Sequence, residues 1–105
     1  MADYGLISTA ELQKRLQTSE EPFMIDVREH EEVEEGMIPG AVHIRMSEIP
    51  AHLETIPKDR EVVFICRSGG RSGKVCEYLV ANGYSNVTNM TGGMLKWTGE
   101  MVSPE

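Results

Sequence analysis

The chain has 105 residues, of which 40% are apolar, and a formal charge of −7 at pH 7. This length is typical of one domain, predicted here over residues 1–105, and a chain of this size can fold without disulfides. The acidic balance argues against a nucleic acid partner, no apolar run approaches the roughly 20 residues of a membrane span, and the first residues lack the basic and apolar segments of a signal peptide.

The first half of the chain predicts helices that alternate with short strands. Ser8 and Glu11 form a capping-box pattern ahead of the first helix, and the chemistry of residues 38–41 indicates a turn. Ser47 is placed to cap a later helix, in which Pro50 is tolerated only in the first turn. The predicted elements are a helix over residues 9–17, a buried strand over 22–27, an exposed helical turn within 29–35, a brief strand over 42–44 and a short helix over 47–54.

The second half continues the same alternation. β-branched and aromatic residues without polar alternation predict a strand over residues 61–66 that is covered on both faces. Apolar residues at helical spacing predict a helix over residues 71–82, which Gly83 is placed to end. A last strand is predicted over residues 86–90, and a final short helix opens at Gly92 and Gly93 and carries Met94, Leu95 and Trp97. Strands that alternate with helices predict an α/β fold, with a mainly parallel sheet of about five short strands and helices on both faces.

The stretch ICRSGGRSGKV, residues 65–75, is locally basic in an acidic chain. Cys66 ends a predicted strand, and ligands of open α/β sheets bind beyond the carboxyl ends of the strands. Gly69 and Gly70 can take positive φ, so that successive backbone N–H groups point inward, and the N-terminus of the helix at Arg71 adds further donors. Such donors lower the pKa of a thiol. We therefore predict an anion-binding loop around a nucleophilic Cys66.

The spacing in this loop restricts the group that it can hold. Four residues separate Cys66 from Arg71, and a ring of N–H groups this small suits one extra sulfur atom on the cysteine better than a tetrahedral oxyanion. The side chains of Arg67, Ser68 and Lys74 can then face outward and receive an anionic sulfur donor. Arg71 itself is predicted to hold the loop in place or to neutralise it.

Three charged residues near the second predicted element have two interpretations. Asp26 and Arg28 can form a catalytic pair, but structural roles are favoured. Arg28 and Glu32 are four positions apart and can pair on a helical turn, and Asp26 can cap the segment that follows it.

The two cysteines are ten positions apart and do not make a disulfide framework. Cys76 lies on the apolar face of its predicted helix, which favours a core residue over a resolving thiol. His30, His43 and His52 are all distant from Cys66 in sequence and are interpreted as ordinary surface or core histidines. No Cys/His spacing fits a zinc site, and we predict neither a metal nor a cofactor. Because the cysteines make no disulfide framework, we predict a cytoplasmic protein with reduced thiols.

Three motifs in the same order resemble the rhodanese sulfurtransferases. The loop at residues 66–72 is similar to the active-site loop of that family, and residues 26–41 resemble its first motif. Residues near the end of the chain resemble the C-terminal signature of the family: Asn82-Gly83-Tyr84, Val87, Gly92-Gly93 and Trp97. Two positions depart from the family pattern: Met37 stands where histidine is common, and His43 where asparagine is common.

The resemblance implies a three-layer rhodanese-like fold and a reaction in two steps. The Cys66 thiolate attacks the outer sulfur of thiosulfate or a similar donor, and sulfite leaves. A thiophilic acceptor, such as cyanide or another thiol, then removes the sulfur from the resulting persulfide. The residues that the resemblance assigns to the persulfide-binding loop are Arg67, Ser68, Gly69, Gly70, Arg71 and Ser72.

Other functions compete with this one. A persulfide carrier that feeds a sulfur-relay protein uses the same intermediate, and a rhodanese-like binding module docks a partner without turnover. Cysteine-dependent phosphatases and related arsenate reductases have similar loops, but with five residues between cysteine and arginine. In this chain Ser72 occupies the position of that arginine, which disfavours both classes.

Overall fold

The computed structural model describes residues 4–18 and 21–104. These residues form five strands, four α-helices and one 3-10 helix, which alternate along the chain. In chain order they are β1 (Gly5–Ser8), α1 (Thr9–Leu16), β2 (Phe23–Asp26), α2 (His30–Val33), β3 (Val42–His43), the 3-10 helix (Met46–Thr55), β4 (Val62–Ile65), α3 (Gly70–Ala81), β5 (Val87–Thr91) and α4 (Gly93–Lys96).

All five strands belong to one sheet in the order β1-β5-β4-β2-β3, and each neighbouring pair is parallel. The central strand β4 places Phe64 opposite Ile25 of β2 and Asn89 of β5. The carboxyl ends of the strands therefore meet at one edge of the sheet, where the residues that follow β4 begin the next loop. The predicted α/β class and parallel sheet are confirmed.

Helices cover the sheet on both faces and divide its apolar residues into two clusters. Because side chains alternate along a strand, Val62, Phe64 and Cys66 lie in one cluster, whereas Val63 and Ile65 lie in the other. The first cluster includes residues of α3 and the 3-10 helix, and the second includes residues of α1. The result is a three-layer fold whose central strand is buried on both sides.

The helix boundaries follow the predicted signals at two places. Before α1, the Ser8 hydroxyl accepts the Glu11 backbone N–H at 3.1 Å, and the Glu11 carboxylate accepts the Ser8 N–H at 3.0 Å. After α3, Gly83 takes a left-handed φ of +92° and donates its N–H to the Val80 carbonyl. Within the described residues, no helix combines the length and apolar composition required to cross a bilayer.

Other predictions require correction. The strand β1 was not predicted, because it is four residues long and one of its apolar side chains, Leu6, is 63% exposed. The helix predicted over residues 47–54 is a 3-10 helix, and it begins after Arg45 rather than at a Ser47 cap. Pro50 lies in its interior, where it removes a backbone donor. Cys66 follows β4 and is not its last residue.

Candidate active site

Cys66 lies at the carboxyl edge of the sheet, directly after the central strand. It is fully buried, it packs in the cluster beneath α3, and it forms no disulfide. The next few residues turn sharply into the N-terminus of α3, which begins at Gly70. We call residues 66–71 the Cys66 loop. Its position agrees with the rule that ligands bind beyond the carboxyl ends of parallel strands.

Hydrogen-bond donors converge on the Cys66 sulfur. The Gly69 N–H donates to Sγ at 3.0 Å, and the Ser72 hydroxyl oxygen lies 3.3 Å from Sγ. Burial is the largest influence on the Cys66 thiol and opposes its ionisation, but the Ser72 hydroxyl and the backbone N–H groups of Ser72, Gly69 and Ser68 outweigh it. The pKa of Cys66 is therefore lowered.

The left-handed conformation of Gly69, with φ of +100°, turns its N–H toward the sulfur. Positive φ is easily reached by glycine and rarely by other residues. Gly70 does not share this conformation, because it is already the first residue of α3. Only one of the two predicted left-handed glycines is therefore needed to form the loop.

The carbonyl groups of the Cys66 loop are held by neighbouring elements. The Met94 and Leu95 N–H groups at the start of α4 donate to the carbonyls of Cys66 at 2.9 Å and Arg67 at 3.0 Å. The Asn89 side chain in β5 donates from Nδ2 to the Gly69 carbonyl at 3.1 Å. With these carbonyls fixed, the loop N–H groups are oriented before any ligand arrives, as in a preorganised oxyanion hole.

The close contact between α4 and the loop requires glycine at position 93. Gly93 has a φ of +60°, and a Cβ placed on it would lie 2.3 Å from the Arg67 carbonyl oxygen. No other residue fits this approach without moving the loop.

Arg71 joins the start of α3 to α2 through a bidentate ion pair. Its Nη1 and Nη2 donate to the two carboxylate oxygens of Glu32 at 2.8 and 2.7 Å. The carboxylate also accepts the Glu29 N–H, which caps α2. The hydrogen bond from Arg71 is the main reason that the pKa of Glu32 falls to about 2. The ion pair ties the start of α3 to α2, and the Arg71 charge also interacts with Cys66, so both predicted roles of Arg71 stay open.

Asp26 and Arg28 form a second, fully internal ion pair. Arg28 Nη2 donates to the Asp26 carboxylate at 2.8 Å and to the Gly36 carbonyl at 2.8 Å, and both side chains are buried. The Asp26 carboxylate also accepts the Arg28 N–H at 3.1 Å, so it caps the turn after β2 as predicted. The predicted ion pair between Arg28 and Glu32 is wrong: Arg28 reaches the Glu32 main-chain carbonyl at 3.3 Å, and the carboxylate is taken by Arg71.

Three side chains of the predicted donor site, those of Arg67, Ser68 and Lys74, are exposed. None of the three makes a side-chain hydrogen bond or ion pair to another residue within 4–18 and 21–104. Arg67 lies beside a cavity of about 310 Å³. The other exposed residues around this cavity are Glu31, Glu35, Leu95 and Met101. Lys74 does not line it.

The remaining candidate side chains lie away from the sulfur. Cys76 is buried in the core, where burial and the nearby Glu77 raise its pKa to about 12, as suits a core cysteine. Met37 and His43, the two departures from the family pattern, line a different cavity of about 710 Å³ beside α2. The His43 Nε2 lies 2.7 Å from the Arg28 carbonyl oxygen.

Two contributions to this site were not predicted from the sequence. Asn89 is buried in β5 and contacts both Gly69 and Ser72. The sequence contained a signal for this residue: a polar amide in a short strand needs hydrogen-bond partners when it is buried. The N–H groups of Met94 and Leu95 carry no such signal, because backbone donors are the same in every residue. Within the described ranges, no group of three or more His, Cys, Asp or Glu side chains is arranged to hold a metal ion.

Comparison with known proteins identifies relatives along nearly the whole chain. Residues 8–100 match the rhodanese-like domain family. YtwF of Bacillus subtilis, provisionally named a sulfurtransferase, is 58% identical over 94 residues that make up 90% of either chain. A protein of Allochromatium vinosum named a sulfurtransferase is 41% identical over 102 residues, which cover 94% of this chain and 95% of that one.

One solved structure and two more distant relatives are also similar to this chain. The crystal structure of a rhodanese-like domain protein from Staphylococcus aureus superimposes with a TM-score of 0.89 at 38% identity, covering 96% of this chain and 99% of that one. YrkF of Bacillus subtilis, provisionally named a sulfur carrier protein, is 34% identical over 90% of this chain and 51% of its own length. GlpE of Coxiella burnetii, named a thiosulfate sulfurtransferase, is 32% identical over 69% of this chain and 67% of its own.

Proposed function

This chain belongs to the rhodanese-like domain family, and we propose that it moves a sulfane sulfur from thiosulfate or a similar donor to a thiophilic acceptor through a persulfide on Cys66. The general activity, that of a rhodanese sulfurtransferase or persulfide carrier, agrees with the names of its relatives. The donor and the acceptor are the parts that we propose.

The observation that carries the proposal is the small ring of donors at the Cys66 sulfur. The Gly69 N–H points at Sγ from 3.0 Å, and four residues separate Cys66 from Arg71. A terminal sulfur on Cys66 would add one anionic atom within reach of these donors, which hydrogen-bond best to a charged acceptor. A wider ring, with five intervening residues, would be needed to surround a tetrahedral phosphate or arsenate.

The proposed reaction has two displacement steps. In the first step, the Cys66 thiolate attacks the outer sulfur of thiosulfate, a sulfur–sulfur bond forms to Cys66, and sulfite leaves with the electron pair of the broken bond. In the second step, cyanide or a thiolate attacks the outer sulfur, and Cys66 leaves as a thiolate. Neither step needs a metal or another cofactor, and the lowered pKa of Cys66 favours the thiolate in both.

Each polar residue of the loop has a proposed role in this reaction. Gly69 and Ser72 stabilise the charge on sulfur, and Arg67, whose side chain is exposed beside the cavity, contacts the anionic donor. Arg71 acts indirectly, because its guanidinium is already paired with Glu32. Lys74 stays a weaker candidate for anion contact, because it is exposed on α3 away from the cavity beside Arg67.

A protein thiol is a second candidate for the acceptor, which would make the chain a persulfide carrier in a sulfur relay. Leu95 and Met101 are 61% and 51% exposed beside the Cys66 loop, and they offer an apolar surface that a small ion does not need. The relative named as a sulfur carrier agrees with this role. We expect no nucleic acid or membrane among the partners, because the chain is acidic.

Initial-rate kinetics of sulfur transfer from thiosulfate to cyanide test the proposal. A persulfide intermediate predicts ping-pong kinetics, with parallel double-reciprocal lines at different cyanide concentrations. Cys66→Ser should abolish transfer, and Cys76→Ala should retain it. Transfer by Cys66→Ser at the parent rate would contradict the proposal. Hydrolysis of small phosphate esters by the parent would instead favour the phosphatase alternative.

A further inference from the structure

The Ser72 hydroxyl has two neighbours that both need its single proton. Its oxygen lies 3.3 Å from the Cys66 sulfur and 2.5 Å from Asn89 Oδ1. All three side chains belong to buried residues, so water cannot easily supply a missing donor. A hydroxyl carries one hydrogen and two acceptor lone pairs, and at any moment it can donate to the sulfur or to the amide oxygen.

The Asn89 amide cannot reverse its orientation to relieve this competition. Its Nδ2 donates to the Gly69 carbonyl at 3.1 Å. If the amide were reversed, Oδ1 would face the Gly69 carbonyl oxygen, which is an acceptor too. The hydrogen-bond network therefore assigns Oδ1 to the side of Ser72.

The charge state of Cys66 decides which neighbour receives the proton. A neutral thiol can donate its own hydrogen to the Ser72 oxygen, while Ser72 donates to Asn89, so that all three groups are satisfied. A thiolate is only an acceptor. When Cys66 loses its proton to solvent, the Ser72 hydroxyl has two options. It can turn toward the sulfur, which leaves the Ser72 and Asn89 oxygens facing each other at 2.5 Å without a hydrogen between them. Alternatively, it can stay with Asn89, which leaves the thiolate with backbone donors only.

From this geometry we infer that Asn89 is a positioning residue that competes with the Cys66 sulfur for the Ser72 proton and thereby sets how readily the thiolate forms. The inference rests on the proposed role of Cys66 as the nucleophile. In the same position Asn89 also fixes the Gly69 carbonyl, so one amide orients the loop and limits the charge on the sulfur. Asn89 therefore limits how far the Ser72 hydroxyl can stabilise the charge on the sulfur.

The Arg71 guanidinium interacts with the charge on Cys66, and other titratable side chains lie on the elements around the sulfur. They lie in the loop, in α3, at the end of β2 and in α2. These groups are Arg67, Arg71, Lys74, Cys76, Glu77, Asp26, Arg28 and Glu32. The substitutions used below leave all of them in place, so their contribution is common to the parent and the variants.

The test is the pH dependence of Cys66 alkylation by iodoacetamide, followed at the level of the Cys66 peptide by mass spectrometry. Asn89→Leu keeps the size of the side chain and removes the competing acceptor, so the midpoint should move to lower pH by about one unit, the value of one hydrogen bond to a charged group. Asn89→Asp places a second negative charge near the sulfur, and the midpoint should move to higher pH. A general loosening of the loop would not move the two variants in opposite directions.

The decisive result is the coupling between positions 72 and 89. In the Asn89→Leu background Ser72 is free to donate to the thiolate, so adding Ser72→Ala should raise the midpoint by about one pH unit. In the parent background, Ser72→Ala should raise the midpoint by less than half of the shift seen in the Asn89→Leu background. Equal shifts in the two backgrounds, or a larger shift in the parent, would overturn the inference whatever the single variants do.

Controls keep the test interpretable. Asn86→Asp makes the same chemical change just before β5, at the opposite end of that strand from the Cys66 loop, and should leave the midpoint unchanged. If Asn89→Leu does not fold by circular dichroism, Asn89→Ala replaces it in the cycle. Alkylation needs no sulfur donor. If the parent transfers sulfur from thiosulfate but positions 72 and 89 are not coupled, only this inference is contradicted. If the two positions are coupled but the parent transfers no sulfur, only the proposed function is contradicted.

Discussion

The two cysteines of this chain belong to the same core cluster, yet their surroundings move their pKa values in opposite directions. Cys76 lies within α3, where burial disfavours its thiolate. Cys66 lies just before α3, where the loop N–H groups and the Ser72 hydroxyl face its sulfur. Burial alone therefore does not decide the reactivity of a thiol; the number of donors that reach the sulfur decides it.

This difference predicts selective alkylation of the native protein. Because the pKa of Cys66 is lowered and that of Cys76 is raised to about 12, iodoacetamide at pH 7 should modify Cys66 and leave Cys76 intact. The rate at Cys66 should level off at a lower pH than the rate of a free thiol. Peptide mass spectrometry over a pH series measures both sites. Similar rates at the two cysteines, or a Cys66 rate still rising steeply above pH 9, would contradict the account.

A second prediction at this scale concerns the exposed arginine of the loop. Arg67→Ala removes a cation beside the sulfur donor site, and the loss of one charge-assisted contact, about 1.5 kcal/mol, should lower kcat/KM for thiosulfate about tenfold. Lys74→Ala removes an exposed cation from the first turns of α3 and should have a much smaller effect. Initial rates at varied thiosulfate compare the two. An unchanged kcat/KM in Arg67→Ala would remove Arg67 from the donor site.

At the scale of elements, the site depends on how α2 and α4 hold the Cys66 loop from two sides. The Glu32 carboxylate of α2 binds Arg71, and the first N–H groups of α4 bind the carbonyls of Cys66 and Arg67. The loop is thus stabilised by contacts outside its own sequence, and each of these contacts can be removed separately.

Removing the α2 contact predicts a loss of stability that depends on pH. Folding lowers the pKa of Glu32 from 4.5 to about 2, so the ion pair stabilises the native state above pH 4.5 and loses this effect as the pH falls toward 2. Glu32→Gln keeps the cap of α2 and should reduce the free energy of unfolding at pH 7 by about 1 kcal/mol, since the pair is partly exposed.

Urea unfolding at pH 7 and pH 3 measures this effect. The gap between the parent and Glu32→Gln should narrow at the lower pH, because pH 3 lies between the unfolded and folded pKa values of Glu32 and the stabilisation declines across that range. Glu31→Gln, on the exposed side of the same helix, is the matched control and should cost less at both values. A gap that is constant with pH would show that the Glu32 charge does not contribute through Arg71.

Removing the α4 contact predicts a loss of activity. In Gly93→Ala the new Cβ would meet the Arg67 carbonyl at 2.3 Å, so the loop must move and the donors at the sulfur lose their alignment. Gly83→Ala carries a similar left-handed strain, with φ of +92°, but its Cβ would lie 3.9 Å from Lys58 Nζ, an ordinary van der Waals distance. Both should unfold more easily, and only Gly93→Ala should lose sulfur transfer. Equal transfer rates in the two variants would contradict the proposed contact.

Elements with a strong local pattern could be predicted from the sequence, and weaker ones could not. The uniform apolar run of β4 and the helical spacing in α3 both led to the observed elements, displaced by one residue at the ends. β1 has only four residues, and its place in the sheet comes from pairing with β5, which is more than 70 positions away in the chain. Its own sequence does not contain that information.

At the scale of the whole molecule, the same distinction applies to the site. The Cys66 loop is contiguous in sequence, so its spacing and its glycines could be interpreted directly. The partners of the loop come from three other elements: Glu32 lies 39 positions before Arg71, and Asn89 lies 20 positions after Gly69. The order of strands in the sheet determines which charged residue pairs with Arg71. The sequence does not contain that order, so the local spacing favoured Arg28 as the partner of Glu32.

The most direct test of the central claim is intact-protein mass spectrometry of the reduced protein after mixing with thiosulfate, beside Cys66→Ser. We expect that the parent gains the mass of one sulfur atom, that cyanide removes the gain, and that the variant shows none. No gain in the parent, with Cys66 still open to alkylation, would contradict thiosulfate as the donor. A gain of the same mass in Cys66→Ser would contradict the persulfide on Cys66 itself.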